Sequence, residues 1–141
     1  MRVRFQNPAG YPAPAGRYSH VSIAEAGRIA FIAGQVAVDG EGVLQAPGDA
    51  GAQFPVVFDN VMTIVQSLGA GASDILEFTT YLVGDDALEQ WRAARPAVYD
   101  RYYGDAPPPP NTLLVVSGLV DPAMRVEISA VVRLPDEDRM R

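Results

Sequence analysis

The spacing of apolar positions changes period several times along the chain, and each change marks an element. Val3 and Phe5 open a short alternating run. It gives way to a Gly/Pro-rich stretch, Asn7 to Gly16, which reads as an extended arm or loop. His20-Val21-Ser22-Ile23-Ala24 alternates as a half-buried strand does, and Arg28 to Ala33 is apolar on both faces. Glu25-Ala26-Gly27 between them reads as a hairpin turn. Residues 39–50 are a Gly/Asp/Pro-rich loop. The period then lengthens: Phe54, Val57, Phe58, Val61, Val65 and Leu68 follow helical spacing, with Gly69 placed for a left-handed C-cap. Pro55 fits such a helix only within its first turn.

After the loop Ala70 to Asp74, the run Ile75 to Val83 is rich in β-branched and aromatic residues and predicts a strand. Asp86-Ala87-Leu88-Glu89 is a capping-box variant that opens a second helix, striped by Leu88, Trp91, Val98 and Tyr102. Pro96 inside that stripe predicts a kink or a division. Pro107 to Pro110 is a stiff polyproline spacer. Two strands follow, Thr112 to Leu119 and Met124 to Leu134, and the last seven residues read as a solvated tail. The order ββ-α-β-α-ββ, with the Val3–Phe5 run as a further strand, is that of an α+β domain. Two helices then cover one face of a mixed five- to six-stranded sheet. The domain takes in residues 1–141, with an arm at 1–17 and a tail at 135–141. Ile29 to Val38 and Leu113 to Val116 are apolar on both faces, and two helices cover only one. The uncovered face predicts a homo-oligomer packed through it.

Composition narrows the chemistry. A chain of 141 residues suits one domain with a core of its own. It has no cysteine, which removes thiolate nucleophiles, Cys-ligated zinc and iron–sulfur clusters. All eleven cations are arginine, so neither a Schiff-base lysine nor a P-loop lysine is available. The net charge of −6 lacks the basic footprint of a nucleic-acid binder. No apolar run approaches the ~20 residues of a membrane span, and the start of the chain has no signal-peptide pattern. The expectation is a cytoplasmic protein that binds neither nucleic acid nor membrane.

Few residues are left to carry chemistry. Gly69-Ala70-Gly71 follows a helix and precedes a strand, the reverse of a dinucleotide fingerprint. Ser117-Gly118 lacks the flanking glycine of a nucleophile elbow, and the single histidine, His20, reads as a strand-face residue at the sheet surface. Asp85 and Asp86 read as helix caps, and Asp121-Pro122 as a turn. The last strand is more informative. Val126, Ile128, Ala130 and Val132 point toward the helices; Arg125, Glu127, Ser129, Val131 and Arg133 point toward the proposed interface. A carboxylate there is costly to bury unless it is paired or working. Glu127 therefore either pairs with Arg125, Arg133 or a neighbouring chain's arginine, or handles the protons of a water.

Gly16-Arg17-Tyr18-Ser19-His20, Phe31 to Gln35, Phe58-Asp59-Asn60-Val61, Gly69 to Asp74, Thr79 to Leu82 and Val126 to Ala130 occur in this order. In these segments the chain resembles the reactive intermediate deaminase (Rid) family, also called the YjgF or endoribonuclease L-PSP family. The resemblance runs from about residue 16 to residue 134. It implies a chorismate-mutase-like α+β fold in a homotrimer, with the sheets lining a central barrel and the clefts between subunits. The family's best-known members hydrolyse 2-imino acids, or their enamine tautomers, to 2-keto acids and ammonia without a cofactor. In those members an arginine in a Pro-x-Arg-Ser sequence clamps the substrate carboxylate. Here the stretch is Pro109-Pro110-Asn111-Thr112, so Asn111 replaces the arginine and loses both its charge and its fork. The asparagine those members carry in the second helix has no counterpart; Arg95 and Pro96 occupy that region.

Matched residue by residue, the resemblance implies a catalytic set of Glu127 and Tyr18, with Glu127 handling water. Gly34 binds through its backbone, Asn111 and Thr112 make the pocket neutral and hydrogen-bonding, and Arg17 is a candidate cation. The reading is an imine or enamine hydrolase of the deaminase type, working in inter-subunit clefts without cofactor or metal. Asn111 turns it away from the usual 2-imino acids, toward a ligand with an amide, a ring or an ester. The alternative is a non-catalytic trimer that binds a small metabolite in the same clefts. Ribonuclease activity is disfavoured by the charge.

Overall fold

A computed structural model describes residues 2–137; the part of the expected tail from residue 138 onward lies outside the described residues. Six strands and two α-helices follow in the order β1 (Val3–Gln6), β2 (Val21–Ala24), β3 (Ile29–Gln35), α1 (Ala50–Ser67), β4 (Ile75–Val83), α2 (Ala87–Tyr102), β5 (Asn111–Val116) and β6 (Val126–Arg133). The strands divide into a four-stranded mixed sheet, β3-β6-β4-β5, and a two-stranded ribbon, β1-β2. Within the main sheet β4 and β5 run parallel, because the α2 crossover joins them, and the other pairs are antiparallel. Both helices pack on one face of this sheet, which is the expected α+β layering.

The expected hairpin at Glu25–Gly27 does not form. β2 pairs with β1, and β3 with β6. Arg133 at the end of β6 explains the separation: only 2% exposed, it donates to the carbonyls of Glu25 and Ala26 and wedges beneath the connection. A Cβ at Gly27 would fall 2.1 Å from that guanidinium carbon, so glycine is what lets the chain pass over it.

Two prolines lie inside helices. The Asp49 carboxylate caps α1 by accepting from the Ala52 N–H, so the helix begins a turn before its apolar stripe. Pro55 therefore lies beyond the first turn, opposite the carbonyl of Gly51. α2 runs unbroken through Pro96 rather than dividing there. An interior proline costs about 3 kcal/mol in an exposed helix. Here Phe54, Val57 and Phe58 around one proline, and Trp91, Val98 and Tyr99 around the other, are buried in the core and offset that cost. Asp86 makes no side-chain bond to the helix backbone, so the capping box is absent; its carboxylate accepts from the Gln90 amide instead.

The core lies between the helices and the sheet. Phe54, Phe58 and Met62 of α1 meet Phe78, Leu82, Ile128 and Val132 of the strands, all essentially inaccessible. The alternation expected for the last strand holds, with Val126, Ile128, Ala130 and Val132 inside. The opposite sheet face is bare. Phe31 is 82% exposed there, and Ile29 and Leu114 are also open. No helix among the described residues is long and apolar enough to cross a membrane.

Candidate functional site in two half-sites

Glu127 stands on the bare face of β6, in register with Tyr81 of β4. The ladder between β3 and β6 shifts register between Ile32 and Gln35, and Gly34 lies in that shift. A Cβ at Gly34 would fall 2.1 Å from Glu127 Oε1. The missing side chain is thus what lets the carboxylate lie against the β3 backbone. Tyr81, Val116, Leu119 and Ser129 complete an open depression around the pair. Among the described residues Glu127 has no ion-pair or hydrogen-bond partner. Arg133, one of the partners the sequence offered, is taken up by the Glu25 and Ala26 carbonyls and by Asp136. Thr112, in register with Thr79, opens on the same side of the sheet from the edge strand.

The other sequence-derived residues lie behind the sheet. The Asn111 amide oxygen accepts a 2.8 Å bond from the Thr80 hydroxyl, which is buried on the helix side. The arm crosses nearby and is pinned by its own side chains. The Tyr18 hydroxyl accepts from the Ala15 N–H, and Ser19 donates to the Pro108 carbonyl. His20 precedes β2 rather than lying on it. Its ring packs edge-on against Tyr11 and Tyr18, and Nε2 lies 2.8 Å from the Pro12 carbonyl. Arg17 donates to Asp100 at 2.6 Å and to the Gly104 carbonyl, and lies over the Tyr99 ring. Its charge is committed to fastening the arm onto α2.

Gly16, Tyr18, Trp91, Arg92, Arg95 and Asn111 line a second depression there. The sequence reading missed Trp91 and Arg92 as lining residues, and it gave Arg95 no role. The one available signal was Trp91 and Arg95 at i, i+4, a spacing that stacks side chains on a helix. The Arg95 guanidinium carbon does lie 4.8 Å from the Trp91 ring centroid. Beneath them, burial pushes the Tyr99 hydroxyl up to about 12, while Arg95 and Arg17 pull it the other way. The expected neutral pocket beside Asn111 is therefore cationic.

One chain thus joins Glu127 with Gly34 on the bare face, and Tyr18, Arg17 and Asn111 on the helix side. The sheet separates the two sets. Among the described residues no group of three His, Asp or Glu side chains is gathered to hold a metal.

A sequence model described as endoribonuclease L-PSP matches residues 9–134. The chain belongs to that family. Among L-PSP relatives, a RutC family protein of Synechocystis is 29% identical over 136 residues, covering 96% of this chain and 99% of the relative. A Rid family protein of unknown function from Yersinia pestis, YyfB, superposes with a TM-score of 0.84 at 30% identity, over 95% of this chain and 100% of its own. The Escherichia coli YjgF product, 24% identical with a TM-score of 0.66, shares the fold over 92% of this chain and 98% of its own. These L-PSP neighbours carry the same chorismate-mutase-like layering of two helices on a mixed sheet.

Proposed function

We propose that the protein is a cofactor-independent hydrolase of the imine/enamine deaminase type, working in clefts between the subunits of a homotrimer. The observation that carries this reading is Glu127, a carboxylate that has no partner among the described residues and lies against the bare backbone of Gly34 on an uncovered apolar sheet face. Phe31, Ile29 and Leu114 invite a second copy of the chain onto that face. Once covered, a carboxylate with no partner of its own is costly unless it is used. Covering also brings it to the helix-side half-site of a neighbour, which its own sheet prevents it from reaching.

In such a cleft Glu127 takes a proton from water as the water oxygen bonds to the imine carbon, and the C=N electron pair moves to nitrogen. Glu127 returns that proton to the nitrogen to give the carbinolamine. It then takes the hydroxyl proton as the carbon–oxygen double bond forms, the C–N bond breaks, and the proton passes to the departing ammonia. An enamine first takes a proton at carbon to give the imine. Gly34 offers backbone groups at close approach, while Tyr18 and Asn111 hold the substrate from the neighbouring protomer. With Asn111 in place of arginine, the usual 2-imino acids lose their anchor on β5.

One observation favours a second reading, a non-catalytic metabolite binder: among the described residues nothing fixes the Glu127 carboxylate, whereas a working base is normally oriented. Imine hydrolysis by wild type and Glu127→Gln separates the two, measured on a set that pairs 2-iminobutanoate and 2-iminopropanoate with their uncharged amide and ester counterparts. The deaminase reading expects turnover that falls about a hundredfold or more in the variant; the binder expects none in either.

A further inference from the structure

Asn111 removes a cation from β5, yet the depression it borders keeps two others. Arg92 and Arg95 stand at i, i+3 on α2, and both line it. Among the described residues neither has a carboxylate partner, although the chain carries a net charge of −6. Arg17 beside them is, by contrast, neutralised by Asp100. The Arg95 guanidinium lies over the Trp91 ring, and Gly16 of the arm leaves room for it. A Cβ there would stand 3.2 Å from Nη1. Among the described residues Arg95 Nε is buried without an acceptor, and so is the indole N–H of Trp91. Buried donors left unpaired cost about 1–3 kcal/mol each, and a guanidinium with a free donor beside a free indole N–H suits an oxyanion.

We infer that Arg95, supported by Arg92, is the anion receptor of the cleft, and that the ligand carries a carboxylate or phosphate group. The anion site has moved from the strand to the helix, and Asn111 serves it as a neutral hydrogen-bonding neighbour. This rests on the proposed cleft only for its link to hydrolysis; anion binding needs the helix-side half-site alone.

Titration calorimetry on the full chain tests it with 2-oxobutanoate, its uncharged methyl ester and inorganic phosphate. At least one anion binds, with an affinity that falls as salt rises from about 20 to about 300 mM. The ester binds at least about tenfold more weakly than the acid if the headgroup is a carboxylate. Tighter phosphate binding makes the headgroup a phosphate. Arg95→Gln weakens the preferred anion about tenfold to a hundredfold, Arg95→Lys restores part of the loss, and Arg92→Gln costs less. Thermal melts establish that each variant is folded, and the anion and salt comparisons on wild type need no variant. The inference is overturned if neither anion binds, if binding is indifferent to salt, or if folded Arg95→Gln binds as wild type does. Anion binding through Arg95 without imine hydrolysis would sink the proposed activity and leave the receptor standing. Hydrolysis that persists in Arg95→Gln with unchanged KM would do the reverse.

Discussion

The carboxylate depression and the cationic depression are built from different materials. Glu127 and Gly34 sit on paired strands, so the β3–β6 and β4–β6 ladders fix their positions. Tyr18, Gly16 and Arg17 sit on an irregular arm held by side chains: His20 against two tyrosines, Ser19 on Pro108 and Arg17 on Asp100. The first region is set by backbone register and the second by packing. The difference has a chemical consequence. Opposite faces of one sheet keep the acid and the arginines from neutralising each other within a protomer. In the proposed cleft a ligand reaches both where two copies meet.

The comparison can be broken most completely at Phe31. Phe31→Asp places a charge on the uncovered face at a position 82% exposed, so the fold survives while assembly does not. Sedimentation is expected to fall from three times 15.1 kDa to 15.1 kDa, with turnover lost. Next comes Gly34→Ala. Its Cβ displaces the Glu127 carboxylate but strains no backbone, since Gly34 is not among the positive-φ glycines. Turnover is expected to drop about tenfold or more while Tm moves by only a few degrees. Asn111→Arg sharpens the contrast from the other side. It restores a cation beside Arg95, and 2-oxobutanoate is expected to bind several-fold more tightly by calorimetry. The smallest effect belongs to Arg17→Ala. The Arg17–Asp100 pair is largely solvated, so Tm should fall by no more than a few degrees, with a modest rise in KM as the arm loosens.

How much of this was legible follows the same division. Strand alternation placed Val126 to Val132 and the outward Glu127 correctly, and helical spacing found the α1 stripe and the Gly69 cap, whose φ is 75°. Residues 75–83 read as a strand from composition alone and form β4. Pairing partners were not legible. Nothing local says that Arg133, more than a hundred positions away, separates β2 from β3. Pro55, beyond the first turn, misled because tertiary burial outweighs its local cost. At the site, the strand residues could be placed from sequence, but the cationic character of the Asn111 side could not. It arises from α2 packing beside the arm and β5, a contact with no sequence period.

The central claim is that the acid and the arginine half-site of one cleft come from different protomers. It is tested most directly by mixing subunits of Arg95→Gln with subunits of Glu127→Gln, after native mass spectrometry has established that mixed oligomers form. Each variant alone is expected to be nearly inactive toward 2-iminobutanoate, and the mixture to recover a clear fraction of wild-type turnover, because some clefts then join an intact Glu127 to an intact Arg95. Mixed oligomers no more active than their separate parts would contradict the account.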